Sequence, residues 1–222
     1  MTLPALMVLT DRHMAADAGH DLVEVVVAAV GAGAPTVLLR EKDLPRADRH
    51  SVAVQLRAAT AGAGATLIVA SDVALARRVG ADGVHLAGGD PWPDDPAAGL
   101  RVGRSCHTPG ELVTAATRGT ADYATFSPVF ATASKPGYGP GLGIDGLAAG
   151  CLAVAGVGSR LAVYALGGIG PGQAAACVAA GATGIAVMGI VMRADDPGAV
   201  VTSLRDAMAD AGSGALARRA DA

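Results

Sequence analysis

The chain has 222 residues and carries 17 basic and 20 acidic side chains, a formal net charge of −3. At 51% hydrophobic and 17% charged it holds enough apolar material for a core and is not a disordered chain. No basic surplus points to nucleic acid, and no acidic block forms a tail. One Trp, three Tyr and two Phe stand against 31 Gly, so Ala, Val and Leu must fill the core, as suits helices packed on a buried parallel sheet.

Short apolar runs alternate with Ala-rich stretches of helical spacing. In chain order the pattern predicts a strand over 5–10, a helix over 17–32, a strand over 36–40 and a helix over 46–63. A strand over 66–70, a helix over 72–79 and a strand over 83–86 follow. Residues 88–99 are too rich in Pro and Gly for a full helix. Then come a strand over 101–105, a helix over 109–118, a strand over 123–126 and a long loop over 131–143. A helix over 145–154, a strand over 161–166, a helix over 171–180, a strand over 184–188 and a helix over 197–211 complete the series. Asp72 can cap its helix, and Pro109, Pro171 and Pro197 sit at first helical positions. Gly80, Gly119 and Gly181 stand where helices stop.

Alternating strands and helices imply parallel pairing with right-handed crossovers. Eight units in about 210 residues predict a single α/β domain, a (β/α)8 TIM barrel over residues 1–211, with 212–222 as a disordered tail. An open doubly wound sheet is the alternative.

No basic leader precedes the first apolar run, and the apolar stretch over 184–192 is far shorter than the roughly 18–20 residues that cross a bilayer. Three cysteines (Cys106, Cys151 and Cys177), with no C-x-x-C pair, predict neither a disulfide scaffold nor a zinc ribbon. A cytoplasmic protein with reduced thiols is expected. It should act on small molecules, with no nucleic-acid or membrane partner, and a homo-oligomer stays open.

Barrel active sites form at the C-terminal strand ends, and polar residues gather there. Gly167-Gly168 after strand seven opens a helix and leaves backbone N–H groups open to a phosphate; Met188-Gly189 after strand eight can complete the cradle. A tight glycine turn is the plainer alternative. Arg40, Lys42 and Lys135 would form a second, cationic anion site, notable because these two lysines are the only ones in the chain, though Arg40 with Glu41 could instead be an ordinary surface ion pair. Asp72 and Asp90 could supply oxygens to Mg2+ beside a polyphosphate, though Asp72 serves equally as a helix cap and Asp90 as a turn residue. His107 is the candidate general base, and His85 reads as a hydrogen-bonded core histidine. Alternation turns Cys106 away from the side used by Ser105 and His107. The 131–143 loop, with Thr132, Ser134 and Lys135, reads as a lid. Tyr123, Phe126, Phe130 and Tyr138 in or near it could stack on a flat substrate, though ordinary packing is the stronger reading for Tyr123 and Phe130.

Several stretches together resemble thiamine phosphate synthase and the TenI-type thiazole tautomerase. They are Leu9-Thr10-Asp11, Leu39-Arg40-Glu41-Lys42, the run from Gly80 to Leu86, and Gly103-Arg104-Ser105-Cys106-His107. The run from Ser127 to Lys135, Leu166-Gly167-Gly168-Ile169 and the run from Gly184 to Met188 continue them. The resemblance implies a barrel that joins hydroxymethylpyrimidine pyrophosphate to a thiazole phosphate with Mg2+. It places Arg40, Lys42, Ser105 and Lys135 on the pyrophosphate or pyrimidine, Asp90 on the metal, and Gly168 with Gly189 on the thiazole phosphate. The chain departs from the synthase pattern at Leu38, Ser71, Gly88 and Gly189. A tautomerase with His107 as its acid–base residue, or a binder without turnover, are the alternatives.

Overall fold

Eight parallel strands close into one barrel in the computed structural model, which describes residues 4–92, 99–132 and 141–220, with side chains through 209. The strands are β1 (Leu6–Leu9), β2 (Thr36–Leu39), β3 (Thr66–Ala70), β4 (Gly83–Leu86), β5 (Arg101–Cys106), β6 (Tyr123–Phe126), β7 (Ala162–Leu166) and β8 (Gly184–Val187). Each pairs with the next, and β8 returns to β1 through Leu6–Ile185, Met7–Ala186 and Val8–Val187. An open sheet would leave β1 and β8 as edges, so this last ladder excludes the doubly wound alternative.

The period of two along each strand separates two apolar layers. Leu6, Val8, Val37, Leu39, Leu67 and Val69 point outward into the layer beneath the helices. Their neighbours Met7, Leu9, Leu38, Ile68 and Ala70 fill the barrel interior with Tyr123, Tyr164 and Ala186. Leu56, Leu112, Leu147 and Leu204 seal the outer layer and are fully buried, each stabilising the fold by about 1.5–3 kcal/mol. The same alternation sends Cys106 outward, as expected, and leaves Ser105 facing the interior.

The helices are α1 (Arg12–Asp17), α2 (Leu22–Gly31), α3 (Arg46–Gly62), α4 (Val73–Arg78), α5 (Pro109–Arg118), α6 (Gly143–Gly156), α7 (Pro171–Ala179), α8 (Gly189–Met192) and α9 (Pro197–Ala220). Two short helices, α1 and α8, stand where the sequence pattern showed none, and the bounds of α2 and α9 differ from it. The helix expected over 17–32 starts later, at Leu22, because Gly19 takes a left-handed φ of 83° and Asp21 caps the helix, accepting from Val23 N at 2.8 Å. Asp11, at the tip of β1, caps α1 in the same way, accepting from Met14 N at 3.1 Å. The single turn α8, directly after β8, was not expected, and α9 runs past residue 211 to Ala220. Among the described residues, no helix is long and apolar enough to cross a membrane. The three cysteines are free.

Candidate active site

The rim at the C-terminal strand ends opens into a cavity of about 620 Å3. Nine of the residues singled out in the sequence line it: Arg40, Lys42, Ser105, His107, Thr132, Gly167, Gly168, Met188 and Gly189. Ser134 and Lys135 lie outside the described residues, as does most of the expected lid. Among the described aromatics, packing in the fold prevails over stacking at the cavity. Tyr123 is part of the barrel interior, Phe126 lies in the outer layer, and Phe130 packs against that layer; Tyr138 is outside the description.

One end of the cavity is cationic. Arg40 follows β2, its amide N–H donating to Thr10 Oγ1 at 2.9 Å and its guanidinium lying 3.6 Å from Asp11. Glu41 is turned inward and buried, receiving the Arg12 amide at 3.1 Å and the Arg12 guanidinium at 3.0 Å. The Arg12 pair therefore takes the carboxylate that could have neutralised Arg40. Lys42 Nζ donates to Ser71 Oγ at 2.6 Å, and Ser71 Oγ in turn donates to Asp90 Oδ2. Ser71 adopts φ 57°, which is left-handed and costly for a residue with a Cβ. Asp90 Oδ2 also receives the Ala87 amide at 2.7 Å. Burial opposes the Asp90 charge, but Ser71, the Ala87 N–H, Lys42 and Arg104 together outweigh it and hold the carboxyl below its ordinary value.

Arg104 fixes this loop from the outer face of β5. It donates to Asp90 O at 2.6 Å and to Gly88 O, and its guanidinium stacks 4.5 Å from the Trp92 ring centroid. A buried arginine satisfied by carbonyls and an aromatic face is a rigid strut.

Asp72 is placed differently from its expected metal role. Its Oδ1 caps α4 through Leu75 N at 2.7 Å, and its Oδ2 lies 3.7 Å from Arg49 Nη1. It lines a neighbouring hollow with Arg46 and Arg49, not the main cavity. Both its oxygens are thus engaged, so the pairing of Asp72 with Asp90 on one ion is not seen. Among the described residues no group of three or more His, Cys, Asp or Glu side chains is disposed to hold a metal. A cation bound mainly by polyphosphate and water needs few protein oxygens; Asp90 stands beside the cavity rather than lining it, joined to it through Ser71 and Lys42, and its Oδ2 already receives two hydrogen bonds.

His85 joins the interior to the cavity. Its Nδ1 is 3.0 Å from the Tyr123 hydroxyl and its Nε2 is 2.9 Å from Ser105 Oγ. Tyr123 is fully buried, so its phenol proton needs an acceptor, and Nδ1 is within reach. Nε2 then carries the imidazole proton and donates to Ser105, which leaves the Ser105 O–H to donate into the cavity. Gly103, beside them on β5, leaves the space that the His85–Tyr123 pair occupies. Burial, reinforced by Lys42 and Arg104 and opposed by Asp90, pushes the His85 pKa down to about 3. An unfolded His protonates near 6.5, so below that value the unfolded chain gains a proton that the fold refuses. The stability tied to His85 is therefore complete above pH 6.5 and declines as pH falls towards 3, by up to about 1.4 kcal/mol per unit. His85→Asn is expected to flatten this acid slope in urea unfolding; an unchanged slope would contradict a neutral buried imidazole.

His107 is anchored at the tip of β5. Thr108 and Glu111 form a capping box on α5, and the Glu111 carboxylate also receives the His107 amide at 2.5 Å. Its Nδ1 donates to Ser127 O at 2.8 Å, so a neutral imidazole keeps its lone pair on Nε2.

The other end of the cavity is built from glycine. Val129 and Phe130 N–H groups donate to Leu166 O at 2.9 Å and Gly167 O at 3.0 Å, which zips the β6 loop onto the β7 turn. Gly167 and Gly168 have φ of 105° and 64°, and a Cβ on Gly168 would lie 2.5 Å from Ala131 O. Only glycine fits there. Gly170, Gln173, Ile190 and Arg193 complete this end. Arg193 and Gln173 carried no signal in the sequence, since Arg193 is brought to the rim by the unexpected turn α8.

Fold and rim together define a (β/α)8-barrel protein with polar groups and backbone N–H donors gathered at the C-terminal strand ends. A family model described as thiamine monophosphate synthase matches residues 6–191. The chain belongs to the thiamine monophosphate synthase family. It is 38% identical over 212 residues to a thiamine-phosphate synthase of Methanoculleus marisnigri, covering 93% of this chain and 96% of that one. It is also 38% identical over 204 residues to a thiamine-phosphate synthase of Chloroflexus aurantiacus, covering 90% of each. Among solved structures, a thiamine phosphate pyrophosphorylase from Pyrococcus furiosus superposes with a TM-score of 0.79 at 29% identity, covering 93% and 96% of the two chains.

Proposed function

We propose that the protein is a thiamine-phosphate synthase, a transferase of thiamine biosynthesis that joins hydroxymethylpyrimidine pyrophosphate to thiazole phosphate and releases pyrophosphate. The observation that carries this reading is one cavity with an anion-binding character at both ends: Arg40 and Lys42 at one, the Gly167-Gly168 turn at the other. A condensation between a pyrophosphate and a phosphate ester needs both ends; a rearrangement of one phosphorylated ring needs only one.

In the reaction the bond between the pyrimidine methylene and pyrophosphate oxygen breaks, its electron pair leaving with pyrophosphate. The thiazole nitrogen lone pair then forms the new C–N bond. No nucleophilic side chain is required. Arg40 and Lys42 hold the departing charge, and Lys42 is aimed by its hydrogen bond to Ser71. Ser105 donates its hydroxyl proton to an acceptor atom of the pyrimidine ring, with His85 and Tyr123 fixing that direction. The glycine turn presents N–H groups to the thiazole phosphate and so sets the distance between the rings. Leu9, Leu38 and Ala70 give the cavity an apolar floor that excludes water. We further propose Mg2+ on the pyrophosphate, held by Asp90 and the Ser71 hydroxyl. When bound, it would neutralise the leaving group.

The test is incubation with both substrates and Mg2+, with mass-spectrometric detection of thiamine phosphate. Product formation is expected. If folded protein makes none, but isomerises a thiazole carboxylate phosphate in EDTA in a His107-dependent manner, the tautomerase reading replaces this one. Phosphate-dependent thermal stabilisation without turnover in either assay would leave a binding protein.

A further inference from the structure

We propose that Arg193 is the side-chain phosphate ligand of the glycine end of the cavity, its guanidinium lying over Gly189 in the space a side chain there would enter. The proposal rests on the reading that this end receives the thiazole phosphate, and names the group that grips it.

The geometry begins with α8, a single turn in which the Arg193 N–H donates to Gly189 O at 3.2 Å. Residues four apart share a helix face, and side chains lean towards the N-terminal end. Arg193 therefore folds back over Gly189. A Cβ built on Gly189 would lie 2.6 Å from Arg193 Nη2 and 2.9 Å from both Cζ and Nη1. The guanidinium lines the cavity with Gly168, Gly170 and Gln173.

Its partners leave it available. Its one side-chain hydrogen bond is to Met14 Sδ at 3.1 Å, a weak acceptor, and no carboxylate pairs with it among the described residues. An arginine serving only the C-terminal dipole of α8 would reach forward to the last carbonyls; this one lies over the first residue of the turn. A planar guanidinium without a counter-ion, beside backbone N–H groups on a glycine turn, matches the oxygens of a phosphate monoester dianion.

Four proteins test this: Arg193→Met, Arg193→Lys, Gly189→Ser and the double variant Gly189→Ser/Arg193→Met. Arg193 is exposed and Gly189 does not have a left-handed φ, so each should fold, as circular dichroism and melting will check. Arg193→Met is expected to raise the KM for thiazole phosphate, and the Kd for inorganic phosphate by calorimetry, about tenfold or more, with the KM for the pyrimidine pyrophosphate unchanged. Arg193→Lys should recover part of the loss. Gly189→Ser alone should also weaken binding, because it displaces the guanidinium, yet it should cost nothing further in the Arg193→Met background. Unchanged phosphate affinity in Arg193→Met, or additive losses in the double variant, would overturn the proposal. If the wild type makes no thiamine phosphate, the functional reading fails, while the inorganic phosphate titrations still decide the role of Arg193.

Discussion

Asp90→Asn is expected to lower kcat/KM by about 100-fold or more while leaving the protein folded. The substitution keeps the shape of the side chain and one oxygen to receive the Ser71 and Ala87 hydrogen bonds. It removes the carboxylate tied into the Lys42–Ser71 chain. The loop itself stays pinned, because Arg104 holds the Asp90 carbonyl rather than its side chain. Loss of stability should therefore be about 1 kcal/mol. The defect should be partly recovered by raised Mg2+ if Asp90 contributes to holding the ion. Turnover within threefold of wild type, with the same Mg2+ requirement, would contradict the role given to Asp90 (a threefold change is only about 0.65 kcal/mol).

Gly168→Ala should be the most damaging single methyl group in the site. The position has φ 64°, costing about 1–2 kcal/mol for an L side chain. The added Cβ would also meet Ala131 O at 2.5 Å and Phe130 Cβ at 2.8 Å. One of these obstacles is backbone, and the other belongs to a segment zipped to β7 through Leu166 and Gly167 carbonyls. The turn must open to admit the methyl, at a total cost of about 2–4 kcal/mol. The KM for thiazole phosphate should rise at least about tenfold, with the pyrimidine pyrophosphate KM little changed. Gly170→Ala is the control: its Cβ would meet only the movable ends of Ile190 and Gln173, at 3.2 and 3.3 Å. If both variants behave alike, the left-handed turn is not what forms the phosphate end.

Most of the architecture was legible because it depends on local pattern. All eight strands lie within one residue of the apolar runs that suggested them, and the closed barrel follows from their number and alternation. The rim residues Arg40, Lys42, Ser105, His107 and Gly168 were legible for the same reason, since strand ends dictate where they meet. What pattern could not supply is direction and partner. Asp72 is a good ligand by type, but its oxygens go to Leu75 and Arg49, a choice made by the start of α4 and the packing of α3. His85 looked like core and is buried, yet a second nitrogen lets it set Ser105 from behind. Arg104 and Trp92 meet across the β4–β5 connection, a contact that no local pattern announces. Arg193 depends on a one-turn helix too short to show a period, and on Met14 at the other end of the chain. α1 was missed, and the helix read over 17–32 begins only at Leu22, because a left-handed Gly19 and the Asp21 cap outweigh its apolar spacing.

The two-ended cavity is tested most directly by a crystal structure with Mg2+, pyrophosphate and thiazole phosphate bound together. Pyrophosphate should lie against Arg40 and Lys42 with the ion on the Asp90 side. The thiazole phosphate should sit on the Gly167-Gly168 turn under Arg193, its ring nitrogen facing the pyrophosphate. Both anions at one end, or either outside the barrel mouth, would contradict the account.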